Sequence, residues 1–204
     1  MNSYISIDLE TTGFSTDTCD IIEIGAWKIK DGVVVDKYCS LVRPYMYIPR
    51  NIQQITGITM EDVEDCEPIE PNLISLFEFC EELPFLGHNL QFDYRFLLSK
   101  GKNIGLDFSL NGTRTGTDTM KLAKSLLKLD SNKLQDVANH FNIHLDDNKG
   151  GYHRAGYDAY VTKLIYDRFL VLYNQAHGVV LPELLSIDDK KYGKVVNNET
   201  LSFS

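Results

Sequence analysis

The sequence predicts one α/β domain, in which a mixed β-sheet is covered by helices. Strand-like segments come first along the chain, and further strand-like segments then alternate with helix-like ones. A hairpin signal joins two early strands and favours antiparallel pairing, whereas strands separated by a helix favour parallel pairing. The 204 residues, of which 43% are hydrophobic, are enough for a single core.

The N-terminal half of the sheet is predicted from three apolar segments. The first strand begins at Ile5 and runs into two acids, and residues 21–30 form a second apolar strand. Asp31-Gly32 follows, and this dipeptide is typical of a two-residue hairpin turn because both positions need positive φ. The return strand is predicted over 33–42 and ends at Arg43-Pro44, since proline cannot donate to a strand partner.

The remaining elements are predicted from helical periodicity, from glycine and proline breaks, and from capping residues. In chain order they are a short helical turn over 48–57, a cap at Thr59 to Asp62, a helix over 68–82, a parallel strand over 85–88, a helix over 90–100 capped by Asn89 and ended by Gly101, a strand ending at Thr117-Asp118, a helix over 119–129, a helix through 134–141 capped by Ser131 or Asn132, and a last helix over 155–174. Residues 1–180 are predicted to form this domain. Residues 181–204 are predicted to be a polar tail or linker, because periodicity is lost there.

Composition restricts the functional classes. The net charge of −9 and the pI near 5.0 argue against a broad electrostatic grip on a nucleic-acid duplex, but allow a small footprint on a single strand. No segment is long and apolar enough to span a membrane, and no leader precedes the first strand, so a cytoplasmic protein is expected. The four cysteines show no zinc-site spacing and are expected to be reduced.

Two acids end the first strand and need a positively charged partner. Side chains alternate along a strand, so Asp8 and Glu10 leave it on one face while Ile7 and Leu9 leave it on the other. Like charges at the end of a buried strand repel each other and lose hydration, and a divalent cation is the usual compensation. The alternative is a pair of hydrated acids in a loop.

Two helices each place an aspartate on their apolar face. Asp93 lies three and four residues before inward apolar residues of its helix, and Asp158 leads the apolar stripe of the last helix. Each acid could be satisfied locally by hydrogen bonds. Together with Asp8 and Glu10 they provide four carboxylates from three elements. Such an oxygen-only set suits Mg²⁺ or Mn²⁺ and gives no reason to expect Zn²⁺.

His153 is the candidate proton acceptor. It lies five residues before Asp158, which places it at or just before the start of the last helix, on a loop that contains Gly150-Gly151. From there it could reach over a metal site, and histidine titrates near neutral pH, as a general base requires. The alternative is a surface histidine next to Arg154.

These residues form three motifs that resemble those of the DEDD exonuclease superfamily. The motifs are Asp8-x-Glu10, His88-Asn89-x-x-Phe92-Asp93 and His153-Arg154-Ala155-x-x-Asp158. The spacing H-x-x-x-x-D of the last motif resembles the histidine subgroup, since the tyrosine subgroup has tyrosine where this chain has Arg154. Residues 7–13 and 21–26 are most similar to the proofreading epsilon subunits and exonuclease domains of bacterial DNA polymerase III.

The resemblance implies a ribonuclease-H-like mixed sheet of five strands. It also implies a metal-dependent 3′–5′ exonuclease that releases nucleoside monophosphates from DNA 3′ ends. Asp8, Glu10, Asp93 and Asp158 would hold two divalent metals, Mg²⁺ or Mn²⁺, and His153 would accept the proton of the attacking water. The residues that the resemblance assigns to the substrate are Leu9, Thr12, Phe14, Ile55, Thr56, Asn89 and Phe92.

Two alternatives use the same motifs. One is an exoribonuclease of the same mechanism, because discrimination depends on room for a 2′-hydroxyl. The other is an inactive module that binds nucleic acid or a polymerase. The expected partners are single-stranded DNA or a frayed 3′ end and a replicative DNA polymerase, with no membrane. Gly156 replaces the larger apolar residue usual in the family, and we expect it to loosen the start of the last helix by up to about 1 kcal/mol.

Overall fold

A computed structural model describes residues 3–143 and 151–177 and contains a five-stranded mixed sheet. The strands are β1 (Tyr4–Thr11), β2 (Ile21–Lys30), β3 (Val33–Leu41), β4 (Phe85–Gly87) and β5 (Gly116–Asp118). They lie in the order β3-β2-β1-β4-β5. The β1–β2 and β2–β3 pairs are antiparallel, and the β1–β4 and β4–β5 pairs are parallel. The mixed sheet predicted from the sequence is confirmed.

Helices cover both faces of this sheet. In the described part of the chain they are α1 (Arg50–Thr56), α2 (Met60–Val63), α3 (Ile69–Cys80), α4 (Leu90–Lys102), α5 (Thr119–Leu126), α6 (Leu134–His140) and α7 (Ala155–His177). Residues of α3 and α4 form one core with Ile5, Ile7 and Leu9 of β1. Residues of α5, α6 and α7 form another core with Tyr4. None of these helices is long and apolar enough to cross a membrane.

The alternation of side chains along β1 decides which residues meet α7. Ser6 lies on the α7 side, where its hydroxyl donates a hydrogen bond of 2.6 Å to the Ala159 carbonyl. Asp8 and Glu10 share this face because they follow Ser6 at intervals of two. Their carboxylates therefore leave the sheet on the side that α7 covers.

Asn89 stands at the predicted N-cap position of α4, but the predicted cap is wrong in its mechanism. Its side chain makes no capping hydrogen bond, and its φ of 69° is left-handed. The backbone N–H instead donates to the Asp118 carboxylate at 3.0 Å. Asparagine tolerates this conformation better than most residues do. The helix also continues past Gly101 to Lys102, and Gly101 lies close against the Phe108 ring.

Two other boundaries differ from the predictions. Helix α5 ends at Leu126 and not at 129, because Leu127 leaves it in an extended conformation and is buried in the α7-side core. Helix α6 begins after Lys133, which has no side-chain cap, whereas the hydroxyl of Ser131 bonds the Asp136 carboxylate. Gly150 of the predicted loop before the last helix and the predicted tail over 181–204 lie outside the described residues.

The start of α7 lies directly on β2, and glycine permits this approach. A Cβ atom on Gly25 would clash with the backbone of Ala155 and Gly156. A Cβ atom on Gly156 would stand 2.8 Å from Cys39 Sγ, and Trp27 Nε1 donates to the Gly156 carbonyl at 2.7 Å. Gly156 therefore lies close to β3 and is held by Trp27 of β2. That it loosens the start of α7 stays a prediction.

Gly25→Ala is expected to lower the free energy of unfolding by about 1–3 kcal/mol, the usual range for overpacking a filled site. Urea unfolding followed by circular dichroism would measure the change. Gly105→Asn is the matched control, since Gly105 has a φ of +78° and open space around it. Asparagine tolerates that conformation, so the control should change stability by less than about 0.5 kcal/mol. Wild-type stability of Gly25→Ala would contradict the close approach of α7 to β2.

Candidate active site

The predicted acids come together at the C-terminal end of β1. Asp8 and Glu10 belong to β1, Asp93 to the first turn of α4, and Asp158 to the first turn of α7. The ligating atoms of Glu10, His153 and Asp158 all lie within 4.8 Å of one another. A strand, a helix and the loop before that helix thus contribute to one group, as the sequence predicts.

Asp93 is tied to the backbone of β1. Strand β4 ends at Gly87, and its pairing with β1 reaches no further than Ser6. The N–H of Leu9 donates instead to the Asp93 carboxylate, at 3.0 Å. This bond holds Asp93, a residue that is 3% exposed, at the end of the strand that carries Asp8.

Loss of hydration dominates the electrostatics of the site. Burial raises the pKa of Glu10 to about 8 and that of Asp158 to about 7, and nearby acids add to both shifts. Burial also raises the pKa of Asp8 well above its usual range, and the other three acids raise it further. The pKa of Asp93 is raised by burial despite the hydrogen bond from Leu9. Asp8 is the acid whose pKa is raised by all three of the others, so it lies at the centre of the repulsion.

The donor set fits divalent cations. Asp158 Oδ1 is buried and has no hydrogen-bond partner within residues 3–143 and 151–177. In the same ranges none of the four acids forms an ion pair with lysine or arginine. A buried carboxylate oxygen without a partner is costly, and hard oxygen donors are the ligands that Mg²⁺ and Mn²⁺ prefer. A divalent cation would provide the missing partner and offset the repulsion.

His153 lies just before α7, at the predicted place. Its side chain is exposed, and its φ of 67° lies in the left-handed region that residues other than glycine rarely adopt. Its N–H donates to Asp158 Oδ2 at 3.2 Å. The histidine is therefore fixed by its backbone to one acid, with its imidazole beside Glu10 and Asp158.

One buried acid near this group, Glu23, has no counterpart among the predicted site residues. It is directly opposite Glu10 in the β1–β2 register and is 6% exposed. Its carboxylate accepts the N–H of Ala155 at 2.9 Å and a hydrogen bond from Arg154 Nη2 at 2.8 Å. The sequence signal that could have found it is a single acid among the otherwise uncharged residues 21–27 of β2.

Four of the residues expected at the substrate have side chains available to a ligand. Phe14 is 84% exposed, and its ring centroid lies 6.2 Å from that of the half-buried Phe92. Ile55 is 51% exposed, and Asn89 is also exposed. Each of these side chains is accessible to a ligand, and Phe14 and Phe92 are in contact with each other.

The other three expected substrate residues are buried. Leu9 packs in the core that β1 forms with α3 and α4. The Thr12 hydroxyl accepts the N–H of Asp20 at 2.9 Å, and the Thr56 hydroxyl donates to the Ile52 carbonyl at 3.0 Å. Both hydroxyls thus stabilise the local fold, so substrate contact at these positions would involve backbone groups.

Comparison with known proteins assigns this chain to a family. A model of the exonuclease family (RNase_T) matches residues 5–166, which include the four acids and His153. The chain belongs to the exonuclease family. This family is divalent-metal dependent, in agreement with the acidic group at the end of β1.

Curated relatives of this exonuclease-family chain are named as DNA polymerase III proteins. DNA polymerase III PolC-type of Thermotoga petrophila is 38% identical over 188 residues, which are 92% of this chain but 13% of that protein. DNA polymerase III subunit epsilon of Aquifex aeolicus is 29% identical over 170 residues, which are 82% of this chain and 80% of that protein. The predicted resemblance to the epsilon-type exonucleases is confirmed, and this chain spans a small part of the PolC-type relative.

Solved structures show the same fold. Exonuclease X in complex with 5′ overhanging duplex DNA is 25% identical with a TM-score of 0.67, over 88% of this chain and 95% of that one. E. coli Exonuclease I in complex with a dT13 oligonucleotide is 16% identical with a TM-score of 0.69, over 87% of this chain and 44% of that one. The ribonuclease-H-like sheet implied by the motifs is confirmed.

The raised carboxyl pKa values imply that the metal-free protein loses stability as pH rises from about 5 to about 8. Over this range the native carboxyls keep protons that the unfolded chain, with ordinary pKa values, has released. The unfolded state then binds fewer protons than the native state, so the free energy of unfolding falls with rising pH. At lower pH both states are protonated and this penalty is absent. Thermal unfolding in EDTA across the range would measure it.

Asp8→Asn tests whether this loss of stability at high pH comes from the acidic group and not from other titratable residues of the chain. Removing one repelling charge should raise Tm in EDTA at pH near 8 by on the order of 2–4 °C, as about 1 kcal/mol does in a domain of this size. The stabilisation produced by added Mn²⁺ should shrink. Asp167→Asn is the control, because it removes an acid of α7 that pairs with Lys163 outside the group. A Tm of Asp8→Asn at or below the wild-type value in EDTA would contradict the repulsion.

Proposed function

We propose that this chain is a 3′–5′ exonuclease that releases nucleoside monophosphates from DNA 3′ ends in a proofreading or repair role. One observation carries the proposal. Four desolvated carboxylates and an exposed histidine meet at the end of β1 in a chain of the exonuclease family. Phosphodiester hydrolysis uses a cation site and a proton acceptor together, whereas a binding module needs neither buried repelling acids nor a base.

We assign Asp8, Glu10, Asp93 and Asp158 as ligands of two divalent metals, Mg²⁺ or Mn²⁺. The unpartnered oxygen of Asp158 and the raised pKa values of the four acids support this assignment. The oxygen-only carboxylate set favours these ions over Zn²⁺. When bound, such ions would supply Lewis-acid activation of water and neutralise charge at the scissile phosphate.

His153 is assigned as the general base. Its ring nitrogen lies within 4.8 Å of carboxylate oxygens of Glu10 and Asp158, on the side that faces solvent. The backbone bond to Asp158 fixes the residue but leaves the ring free to turn toward the attacking water. Imidazole is the side chain best suited to accept a proton near neutral pH and to pass it to solvent.

The exposed apolar side chains suit the last bases of a single strand. Phe14 and Phe92 form an edge-to-face pair, and Ile55 is exposed. Stacking on such side chains is worth about 1–3 kcal/mol per base and tolerates any sequence. Backbone groups from Leu9 to Thr12 would seat the 3′-terminal nucleotide, and Asn89 would line the approach to the scissile phosphate. A small footprint also agrees with the net charge of −9.

Single-stranded DNA or a frayed 3′ end is the proposed substrate, and a replicative DNA polymerase is the proposed partner. The PolC-type and epsilon relatives are DNA polymerase III proteins, and the similar Exonuclease X structure contains duplex DNA with a 5′ overhang. Residues 1–180 would be the exonuclease domain, and residues 181–204 a tail or linker.

Two substitutions test the assigned roles. Asp8→Ala should abolish nucleotide release and weaken Mn²⁺ binding, because it removes a ligand. His153→Ala should lower kcat about 10²-fold or more and leave Mn²⁺ binding intact, because the base is not a ligand. The shortening of 5′-labelled DNA would measure nucleotide release, and Mn²⁺ titration would measure metal binding. His140→Ala, on the exposed side of α6, is the control. Near-full activity of His153→Ala across neutral pH would refute its role.

A second experiment separates the substrate classes. DNA and RNA oligomers with matched 3′ ends would be digested side by side with Mg²⁺ or Mn²⁺. We expect faster release from DNA. A large preference for RNA would instead support an exoribonuclease, since the site would then admit a 2′-hydroxyl. Absence of release from both with either metal would support an inactive binding module.

A further inference from the structure

We propose that Glu23 is a positioning residue for His153. It acts by fixing the two residues that follow the histidine, Arg154 and Ala155. This inference rests on the proposed function, in which His153 accepts the proton from water. Glu23 itself does not touch the reacting atoms.

The Glu23 carboxylate is saturated by the start of α7. Arg154 Nε lies 3.1 Å and 3.2 Å from its two oxygens, and Arg154 Nη2 lies 2.8 Å from Oε1. Oε2 also accepts the N–H of Ala155 at 2.9 Å. Charge-assisted bonds in this forked arrangement fix orientation as well as distance. The carboxylate therefore holds both a side chain and the backbone on the C-terminal side of His153.

The β1–β2 register places Glu23, the anchor of the α7 start, beside the acidic group. Glu23 is directly opposite Glu10, so the two acids stand side by side on one face of the sheet. Gly25 lies two residues further along the same face, and its missing side chain allows Ala155 to approach. The distance from the His153 loop to Glu10 is thus set by paired backbone strands, which are more rigid than a loop.

His153 needs such an anchor because its backbone is strained. A φ of 67° is sparsely populated by residues other than glycine and persists only where neighbouring contacts impose it. The bond from its N–H to Asp158 restrains the residue from one side. Glu23 restrains it from the other, and also caps the free N–H at the first position of α7.

Arg154 also changes the electrostatic effect of Glu23 on the acidic group. Its guanidinium compensates the charge of Glu23, which would otherwise add a fifth unpaired acid beside Glu10. Beyond the effect of burial, Glu23 still raises the pKa of Asp8, Glu10 and Asp158, while Arg154 lowers that of Glu10. The guanidinium therefore offsets part of the charge that the anchor adds beside the four acids. Loss of either partner should displace the loop.

A double-mutant cycle with His153→Ala tests the positioning role. Glu23→Gln keeps the shape of the side chain but places an amide against Arg154, and should lower kcat at least 10-fold with KM changed less than 2-fold. In the His153→Ala background the same substitution should cost less than 2-fold, because the group it positions is gone. Equal losses in both backgrounds would overturn the proposal and indicate a general structural effect. Arg154→Lys, which keeps the charge but loses the fork, should show the same pattern.

Amide hydrogen exchange provides a readout that does not depend on activity. The N–H groups of His153 and Ala155 should exchange at least 10-fold faster in Glu23→Gln than in the wild type. Asp167→Asn, which breaks the Lys163–Asp167 pair of the same helix, should leave both rates unchanged. Unchanged rates in Glu23→Gln would overturn the proposal. If wild-type protein released no nucleotide, or His153→Ala kept full activity, the proposed function would fail while the exchange data would still test the anchor.

Discussion

The repulsion among four desolvated carboxylates at the end of β1 is the constraint on which this structure depends. Burial and mutual charge raise the pKa of Asp8, Glu10, Asp93 and Asp158, so the folded chain keeps them together against their electrostatic preference. Protein stability is a small difference between large terms, so this opposition has to be balanced elsewhere. The balance comes from two apolar layers, one on each face of the sheet, that meet at the same strand.

Several local features of the fold serve this convergence. Because β4 is short, the N–H of Leu9 is left for the Asp93 carboxylate, and α4 is drawn to the strand end. Because Gly25 lacks a side chain, α7 can begin directly on β2, which brings Asp158 over the same place. The bond from Ser6 to the Ala159 carbonyl then fixes α7 against β1 one turn further along. Each of these contacts restrains a helix that electrostatic repulsion among the four acids would otherwise displace.

Much of this arrangement follows from local sequence patterns. Alternation along β1 predicts the common face of Asp8 and Glu10, and helical spacing predicts the inward aspartates of α4 and α7, because both depend on neighbouring residues alone. The cap by Asp118 is also local, since it accepts from the N–H groups two and three residues ahead. Elements with strong periodicity and clear breaks can therefore be predicted from the sequence.

Other features depend on partners distant in sequence, so no local pattern could give them. The left-handed turn at Asn89 is stabilised by Asp118, and the burial of Thr12 reflects contacts with Asp20 and Met46. Glu23 becomes informative only when the β1–β2 register places it beside Glu10. Register is set by the whole sheet and its turns, and a shift of one residue would carry Glu23 to the opposite face.

The five acids of this region are compensated in two different ways, and the difference separates support from chemistry. Glu23 is paired with Arg154, a cation that belongs to the chain, and its oxygens are fully engaged by α7. Within the described residues the other four acids have no such ion pair, and one oxygen of Asp158 has no partner. Because Arg154 already compensates the charge of Glu23, the role of Glu23 is structural. The other four acids have no such cation in the described part of the chain, so they would be open to a divalent ion, and the rest of the fold keeps them close together.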